Sequence, residues 1–545
     1  MKNYLRLFLL LSIFISCTSL KQDWDNVFTA KQATLANESS EMVIAKDSLI
    51  EETDPIESTM EEQFPLQTII DTNLIETTIN PVNGDITHIG LKKYATSLNN
   101  QQPMTLLDTD DNNDLKYIAQ TLLLVNGKPE NIFFQAQNIE KRNQETIVHF
   151  VGKSQNAEVN RTYNISDNNY TILVEQEIKN ISNESIEIEF ENRITRKIAT
   201  SNKSFNFFNP TTYSFEGISL SSDQKPFQKQ SLKNMNKLTQ GIQQDTKTGW
   251  IAMVQHYFVS IWIPNNTSQT KLHLYAKNPA TNTYTVGIKS YPQKIKINQK
   301  INNNSTLYAG PIINNNLSQL TQSFEETQQP SCLNKLIDYG MLSFVSIILF
   351  SLMSAIQKII GNWGITIIII TILIKIMFYP LSTKSYKSTA KIRLLQPRLK
   401  KLQEIYGEDR QRLGVKMLEL YKKEKVNPAS GFLPMLIQIP VFIALYYVIS
   451  ESVELRQEPF VFWIKDLSAR DPYFILPILM GISMLVQQRI NPMSVDPVQA
   501  RIMTVIPIIF TLLLASFPSA LILYWLANNV VSIFQQWYAT KNKNC

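Results

Sequence analysis

Hydrophobic positions are distributed unevenly along the chain, and their pattern changes near residue 330. Before this point, apolar and polar residues alternate in short stretches that are rich in Asn, Gln, Ser and Thr. After it, two apolar runs of 39 and 36 residues (342–380 and 502–537) are each too long for one membrane span. The pattern therefore predicts a membrane α-helical bundle that follows a separate polar domain.

Residues 63–330 show the pattern of a large antiparallel β domain. Segments such as YTILVEQEI and SIEIEFENRI alternate apolar and polar positions, and turn pairs such as Asn-Gly and Asn-Pro separate several of them. Because such strands bury one face, two packed sheets are the favoured arrangement. We therefore expect a β-sandwich over 63–330.

Two different segments precede this domain. In residues 1–20, Lys2 and Arg6 come before an apolar run, which predicts a transmembrane anchor with its N-terminus inside. The alternative is a lipoprotein signal that is cleaved so that Cys17 is lipidated. Phe14 stands where that signal usually has leucine, so the anchor is preferred, and retention of residues 1–17 stays open. Residues 21–62 are polar and acidic, which predicts a disordered linker.

The first long apolar run contains a break. Residues 331–360 place Asp338, Gln357 and Lys358 among apolar side chains, which is typical of an amphipathic helix lying in the membrane interface. Two glycines then interrupt the run, in the stretch GNWG. Residues 361–380 predict transmembrane helix 2, because the nineteen residues from Asn362 to Pro380 span roughly 28 Å as a helix, about one hydrocarbon thickness.

Charge then assigns the loops to the two sides of the membrane. Residues 381–428 contain 13 Lys and Arg against five Asp and Glu, with apolar residues at helical spacing. This predicts a cytoplasmic helical hairpin, although a solvated basic face that only sets the topology explains the charge equally well. Residues 429–537 predict transmembrane helices 3–6, and 538–545 a short cytoplasmic tail.

The complete prediction is a bundle of six transmembrane helices. Both termini are cytoplasmic, and the large β domain and the acidic loop 450–471 lie on the outer side. An even number of spans and the charge of each loop agree with this orientation.

Lys375 is the one charge within the span 361–380. A lysine in hydrocarbon is costly and raises a functional question. Thr371 precedes it by four residues, so the two share one face of a helix. The alternative is that Lys375 only extends its amine to the nearby interface as an anchor. The helix pattern alone leaves both interpretations open.

Polar residues also occur in the other spans, among them Gln438. Five spans provide few walls for a closed pore, so these groups indicate a shallow wet cavity that opens inward. Such a cavity would let a polar peptide tail enter the bilayer, and a positive charge there would hold acidic residues transiently. The alternative is a small-solute transporter or channel, although the repeated halves typical of transporters do not occur.

Signals for covalent chemistry are absent from the sequence. The three cysteines, Cys17, Cys332 and Cys545, are widely scattered, and no HExxH, P-loop or GxSxG pattern occurs. An intramembrane protease would need a catalytic pair or metal ligands within the spans, and none is apparent. The sequence therefore predicts no enzyme, no metal site and no cofactor.

Several stretches of the second part match a known family. They are GNWGITIIIIT with a following YPL, LQPRLKKLQEIYGEDRQRLGVKMLELYKKEKVNPASGFLPMLIQIPVFIALYYVI, SVELRQEPFVFWIKDLSARDPYFILPILMG and FPSALILYW. From Asn334 to about Trp537 the chain resembles YidC-type membrane protein insertases of the Oxa superfamily. The β domain, with GWIAMVQHYFVSIWIP, is similar to that of the Gram-negative branch.

This resemblance implies a bacterial inner membrane, with the β domain and loop 450–471 in the periplasm. It also implies a hydrophilic groove that inserts and folds inner-membrane proteins, alone or with the Sec translocon. It implies nascent membrane proteins, the ribosome and membrane lipids as partners, with nucleic acid met only through the ribosome. Lys375 takes the place of the groove charge, Thr371 is its neighbour, and Tyr524 and Trp525 match an aromatic pair that contacts substrate. Gln438 is assigned to the same groove. The family usually has arginine where this chain has Lys375. Lysine keeps the positive charge but lacks the planar set of N–H donors of arginine.

Overall fold

The computed structural model describes residues 68–110, 115–142, 144–198, 215–236, 241–265, 271–280, 282–325, 332–407, 409–427, 433–490 and 497–541. The predicted anchor, Cys17, the acidic linker and Cys545 lie outside the described residues.

The polar domain is built from short strands that begin and end at turn residues. In chain order they are β1 (Thr68–Asp71), β2 (Ile75–Ile79), β3 (Ile86–Ala95), β4 (Pro103–Asp110), β5 (Leu115–Val125), β6 (Lys128–Pro129), β7 (Phe133–Arg142), β8 (Glu145–Lys153), β9 (Ala157–Ser166), β10 (Thr171–Asn180), β11 (Ile186–Lys197), β12 (Glu216–Ser222), β13 (Gln228–Ser231), β14 (Ile242–Thr246), β15 (Gly249–Gln255), β16 (Phe258–Pro264), β17 (Leu272–Ala280), β18 (Thr283–Ser290), β19 (Gln293–Ile295) and β20 (Lys300–Pro311).

These strands form two sheets whose neighbouring strands are antiparallel. One has the order β1-β2-β3-β4-β5-β11-β18-β17-β14, with β6 beside β5 and β19 beside β11. The other has the order β13-β12-β15-β16-β20-β10-β9-β8-β7. Tyr117 of the first sheet donates a hydrogen bond to Ser260 of the second (3.1 Å), and apolar side chains of both share one core. The predicted antiparallel β-sandwich is confirmed.

A buried arginine also joins the two sheets. Arg161 on β9 donates through Nη2 to the carbonyl of Thr121 on β5 (3.0 Å) and through Nε to Gln176 (3.1 Å). Its guanidinium lies 4.4 Å from the ring centre of Phe134. The nearby carboxyl of Asp85 accepts from Gln120 (2.6 Å), and burial raises the pKa of Asp85 above its usual range.

The helices follow the strands, apart from one short helix among them. They are α1 (Leu232–Met235), α2 (Asn314–Glu325), α3 (Ser343–Ile360), α4 (Trp363–Met377), α5 (Tyr379–Tyr406), α6 (Arg410–Lys423), α7 (Leu433–Glu451), α8 (Ile475–Ile490), α9 (Pro497–Leu514) and α10 (Ser519–Lys541). Single 3₁₀ turns occur at Cys332–Leu336, Gly340–Leu342 and Val453–Leu455.

The apolar helices form a second core, separate from that of the sandwich. Helix α10 packs against α4, α5, α7 and α8, and α3 packs against α4 and α7. Helices α5 and α6 contact each other through a small apolar cluster that includes Leu395, Leu399 and Leu420. Arg398 and Glu424 form an ion pair at 2.6 Å beside this cluster.

Length and apolarity identify fewer complete spans than the sequence predicts. Among the described helices, α3 alone is long and apolar enough to cross a membrane by itself. Helices α4 and α5 meet the criterion only as a pair, and a bend of 69° separates them. Shorter apolar stretches occupy α7, α8 and α9 (Gln438–Glu451, Ile475–Ile490 and Thr504–Leu514). The count of six spans is therefore not confirmed.

The helix predicted to lie in the interface differs from the prediction in length and surface. It extends over Ser343–Ile360 rather than over 331–360, and 3₁₀ turns occupy part of the preceding segment. Its exposed side chains are largely apolar, including Phe344, Ile348 and Ile359.

The segment between α7 and α8, residues 452–474, connects the two cores; we refer to it as the junction loop. Arg456 donates to the carbonyl of Ala95 at the end of β3 (2.8 Å), and Gln457 donates to the same oxygen (3.0 Å). Val453 belongs to the apolar core of the sandwich. The helical part is thus attached to the β domain through this loop.

Candidate functional site

Helix α4 carries the lysine identified in the sequence, and its first turn is fixed by the junction loop. Gly361 ends α3 with a positive φ of 73°, a conformation that glycine adopts without strain. Asn362 caps α4 by accepting from the backbone N–H of Ile365 (3.0 Å), and its side-chain amide donates to the carbonyl of Phe460 (3.1 Å). A Cβ at Gly364 would lie 2.1 Å from the Phe460 ring, so glycine permits this close approach.

The same loop holds the first turns of two other helices. Asp471 accepts from the backbone N–H of Leu476 in α8 (2.7 Å) and from the indole N–H of Trp463 (3.0 Å). Ser519, the first residue of α10, donates through Oγ to the carbonyl of Ala469 (2.8 Å). The ends of α4, α8 and α10 nearest the β domain are therefore tied together.

Lys375 lies near the opposite end of α4. Its side chain is 3% exposed, although it carries an amine that water would solvate well. The Nζ atom donates to Ser532 Oγ on α10 at 2.6 Å. The amine is therefore directed into the bundle and toward a neutral hydroxyl oxygen.

Three further contacts fix the surroundings of this amine. Ser532 donates to the carbonyl of Asn528 in the preceding turn (2.6 Å), and the hydroxyl of Tyr386 on α5 is hydrogen-bonded to Ser532. Gln535 donates through Nε2 to the backbone carbonyl of Lys375 (3.1 Å). Lys375, Tyr386, Ser532 and Gln535 form a buried polar group, which we call the lysine cluster.

Thr371 lies one turn before Lys375 on the same buried face of α4. Its hydroxyl donates to the carbonyl of Ile367 within its own helix (2.6 Å). This bond satisfies the hydroxyl locally, as is common for threonine in apolar helices. The structure therefore brings Thr371 near the lysine along the helix without a direct bond between the two side chains.

Gln438 is half-buried on α7, two residues before Pro440. The hydrogen bonds of Lys375 extend to α10 rather than to α7. The described contacts thus do not join Gln438 to the lysine cluster.

The aromatic pair lies at a different level of α10. Tyr524 stacks on Phe442 of α7 with ring centres 6.3 Å apart, and Trp525 meets the same ring edge-on at 4.9 Å. Trp525 also contacts Phe510 of α9 at 5.8 Å. Trp525 and Ser532 are seven residues apart, so they share one face of the helix about 10 Å apart along its axis.

Sequence reasoning did not pair Lys375 with Ser532 and Gln535, and it did not identify Tyr386 as a neighbour of Ser532. The sequence of α10 does contain a signal for one shared helix face. Within this apolar run, polar or aromatic residues recur at spacings of three and four, at Trp525, Asn528, Ser532 and Gln535. Nothing in the sequence indicates that Tyr386, on another helix, reaches the same hydroxyl.

The chemistry available to this cluster includes the binding of an anion or a carbonyl group. An ammonium with hydroxyl and amide neighbours can hold a carboxylate or a carbonyl, because lysine offers three donors. Among the described residues, no group of three or more His, Cys, Asp or Glu could hold a metal ion.

Comparisons with known proteins agree with this architecture over the whole chain. The family model described as 60Kd inner membrane protein matches residues 355–544, and that of the YidC periplasmic domain matches residues 67–352. Membrane protein insertase YidC of Francisella philomiragia is 42% identical over 560 residues, covering 99% of this chain and 98% of the relative. The protein of the same name from Francisella tularensis subsp. novicida is 42% identical over 561 residues, with coverages of 99% and 98%.

A solved structure is also similar. It is described as an active YidC insertase crystal structure with the first transmembrane domain resolved. It covers 87% of this chain and 92% of its own, with 17% identity and a TM-score of 0.39. The two family models together extend over nearly all of residues 67–544, and relatives of similar length share 42% of their residues with it. This chain belongs to the YidC family of membrane protein insertases.

Proposed function

We propose that this protein inserts and folds integral inner-membrane proteins, and that the lysine cluster lies in the groove that receives their polar segments. The 42% sequence identity, over 99% of the chain, to proteins named membrane protein insertase supports the activity. The single observation that carries the location is the buried Lys375 amine, which is directed toward α10.

The position of the amine favours a groove charge over an interface anchor. A snorkelling lysine extends its amine toward water, whereas Lys375 Nζ bonds to a serine of another helix. Lys375 follows Asn362 by 13 residues, or roughly 20 Å of helix from the end tied to the β domain. In a hydrocarbon layer about 30 Å thick, this depth corresponds to the cytoplasmic half of the bilayer.

The groove would act by lowering the cost of moving a polar tail into the membrane. A carboxylate that leaves water loses solvation, and an ammonium in a medium of low dielectric constant compensates part of that loss. Tyr524 and Trp525, at the other level of α10, would offer an aromatic surface to the apolar segment that follows. Thr371 and Gln438 would line the approach on α4 and α7. Lysine, unlike arginine, carries a compact point charge, so we do not expect it to bind carboxylates through a bidentate pair of hydrogen bonds.

The loop charges and the family support the following orientation. Six spans place both termini in the cytoplasm and the β-sandwich in the periplasm. Helices α5 and α6 form a basic cytoplasmic hairpin, which receives nascent chains from the ribosome. The protein acts alone or beside the Sec translocon, in contact with membrane lipids. It changes no covalent bond and is not an enzyme.

Reconstitution in liposomes tests this function. The purified protein should promote insertion of a short, weakly charged membrane protein, while the vesicles stay tight to ions and small solutes. Vesicles with Lys375→Ala should insert a substrate with an acidic tail less well and a matched substrate with a neutral tail almost normally. Solute flux without insertion would instead indicate a transporter or channel. Equal, near-normal insertion of both substrates would leave Lys375 as an interface anchor.

A further inference from the structure

The acceptor of the Lys375 amine has a defined orientation. Because the Ser532 hydroxyl donates its single proton to the carbonyl of Asn528 (2.6 Å), its lone pairs are left to accept. Lys375 Nζ lies 2.6 Å from this oxygen. Ser532 is 3% exposed, so water does not compete freely for the position.

A second residue of α10 holds the backbone of the same lysine. Gln535 donates to the Lys375 carbonyl at 3.1 Å, three residues after Ser532. This carbonyl lies in the last turn of α4, where helical carbonyls lose their regular partners. The bend of 69° that follows Met377 occurs directly after this point. The lysine is thus held by one helix at both its side chain and its main chain.

We propose that Ser532 is a positioning residue that holds the Lys375 ammonium inside the groove until a substrate carboxylate replaces the hydroxyl as its acceptor. This inference rests on the proposed function. A neutral hydroxyl is the weaker acceptor, because a hydrogen bond between an ammonium and a carboxylate gains the attraction of both charges. The exchange therefore favours acidic tails and gives neutral tails no advantage.

The Lys375 ammonium needs a partner that fixes its position, because the lysine side chain is long and flexible. A free lysine side chain has four rotatable bonds and a strong preference for water. Without the hydroxyl, the amine is expected to turn toward the cytoplasmic interface, which lies a few residues further along the helix. The charge would then be absent from the level at which the tail enters.

The experiment compares insertion of two substrates that differ only in an acidic or a neutral translocated tail. Full-length protein in liposomes is tested as wild type, Ser532→Ala, Ser532→Thr and Lys375→Ala. We expect Ser532→Ala to lower the ratio of acidic-tail to neutral-tail insertion about tenfold, the lower end of the effect of losing one hydrogen bond to a charged group. Ser532→Thr keeps the hydroxyl and should restore the ratio.

Asn529→Ala provides a matched structural control on the same helix. Asn529 is buried and donates to Ser483 on α8 (2.9 Å), away from the lysine. Its loss should affect both substrates equally, through packing. If Ser532→Ala also lowers both substrates equally, or if Ser532→Thr fails to restore the ratio, Ser532 has only a structural role and the inference is overturned.

Lys375→Ala separates this inference from the function on which it rests. A lowered ratio for Lys375→Ala with an unchanged ratio for Ser532→Ala overturns the positioning role alone. An unchanged ratio for Lys375→Ala overturns the groove charge itself. A lowered ratio for both, restored by Ser532→Thr, supports both.

Discussion

At the scale of single residues, substitutions of Lys375 distinguish the effect of its charge from the effect of its side-chain shape. Lys375→Arg should insert acidic-tail substrates almost as well as wild type, because the positive charge remains. Lys375→Glu should nearly abolish their insertion, because a carboxylate at this position repels the tail and loses its solvation in a site of low dielectric constant. Insertion in liposomes measures both variants. A Glu variant that inserts acidic tails normally would contradict this expectation.

Arg161 provides the corresponding residue-scale prediction for the β domain. Removing it leaves Gln176 and the Thr121 carbonyl without their buried donor, and Asp85 loses one of the cations that favour its charged form. Arg161→Ala should therefore lower the free energy of unfolding by about 3–5 kcal/mol, as when a buried charged group loses its partner. Denaturant unfolding of residues 60–330 measures the change, and the prediction requires that this fragment unfolds cooperatively.

Arg142→Ala is the matched control for that measurement. Arg142 is 69% exposed and pairs with Glu140 on the surface, where such pairs contribute little. A similar loss in both variants would mean that the buried network does not stabilise the sandwich.

At the scale of elements, the contact between the β domain and the end of α7 contains a group whose charge depends on pH, namely His256 in the turn between β15 and β16. His256 lies 2.9 Å from the carbonyl of Ser450, and burial lowers the pKa of His256 below its usual value near 6.5. Arg456 lowers it further, and Glu216 opposes this. Because the folded state prefers the neutral imidazole, its contribution to stability is complete above about pH 6.5 and is lost as pH falls through the lowered value.

Burial of Glu454 changes the stability with pH in the opposite direction. Burial raises the pKa of Glu454, so its contribution to stability is complete at low pH and is lost as pH rises above about 4.5.

Hydrogen exchange in residues 450–460, corrected for the intrinsic effect of pH, should become faster as pH falls from 7.5 to 5.5, because His256 then loses its contribution to stability. His256→Gln, which keeps a donor but does not titrate, should remove this dependence. Exchange that still quickens as pH falls in His256→Gln would exclude the histidine as the source.

The elements also show what a sequence can predict here. Alternating apolar positions were sufficient for the sandwich, because each strand buries one face whatever its partner is. The four-residue spacing of Thr371 and Lys375 likewise placed both on one buried face of α4. The pairing of Lys375 with Ser532 joins positions 157 apart in sequence. No local pattern encodes such a contact, which depends on how α4 and α10 pack.

The attachments of the junction loop escaped prediction for the same reason. The acidic charge of 450–471 indicated a periplasmic loop but gave no sign that Arg456 would reach Ala95, 361 residues earlier. Among the described helices, bends and short apolar stretches occur within the apolar runs, so the predicted count of six spans stays a prediction. A bundle whose helices contact one another can bury polar side chains that lower the apolarity of each helix.

At the scale of the whole molecule, the junction loop restrains the ends of α4, α8 and α10 near the β domain, whereas the lysine cluster lies toward their opposite ends. This asymmetry favours a groove that is closed on the periplasmic side and accessible from the cytoplasm. It requires that residues 384–425 lie in the cytoplasm and that residues 63–330 and 450–471 lie in the periplasm.

Cysteine labelling from either side of the membrane measures this orientation. Natural cysteines are first replaced, and single cysteines are then placed by Lys400→Cys on α5 and by Leu98→Cys between β3 and β4. Both positions are exposed, so side of access rather than burial decides the result. An impermeant maleimide should label position 98 in cells with a permeable outer membrane and position 400 only after the inner membrane is opened. Labelling of position 400 from outside would reverse the topology and place the lysine cluster on the wrong side for chains arriving from the ribosome.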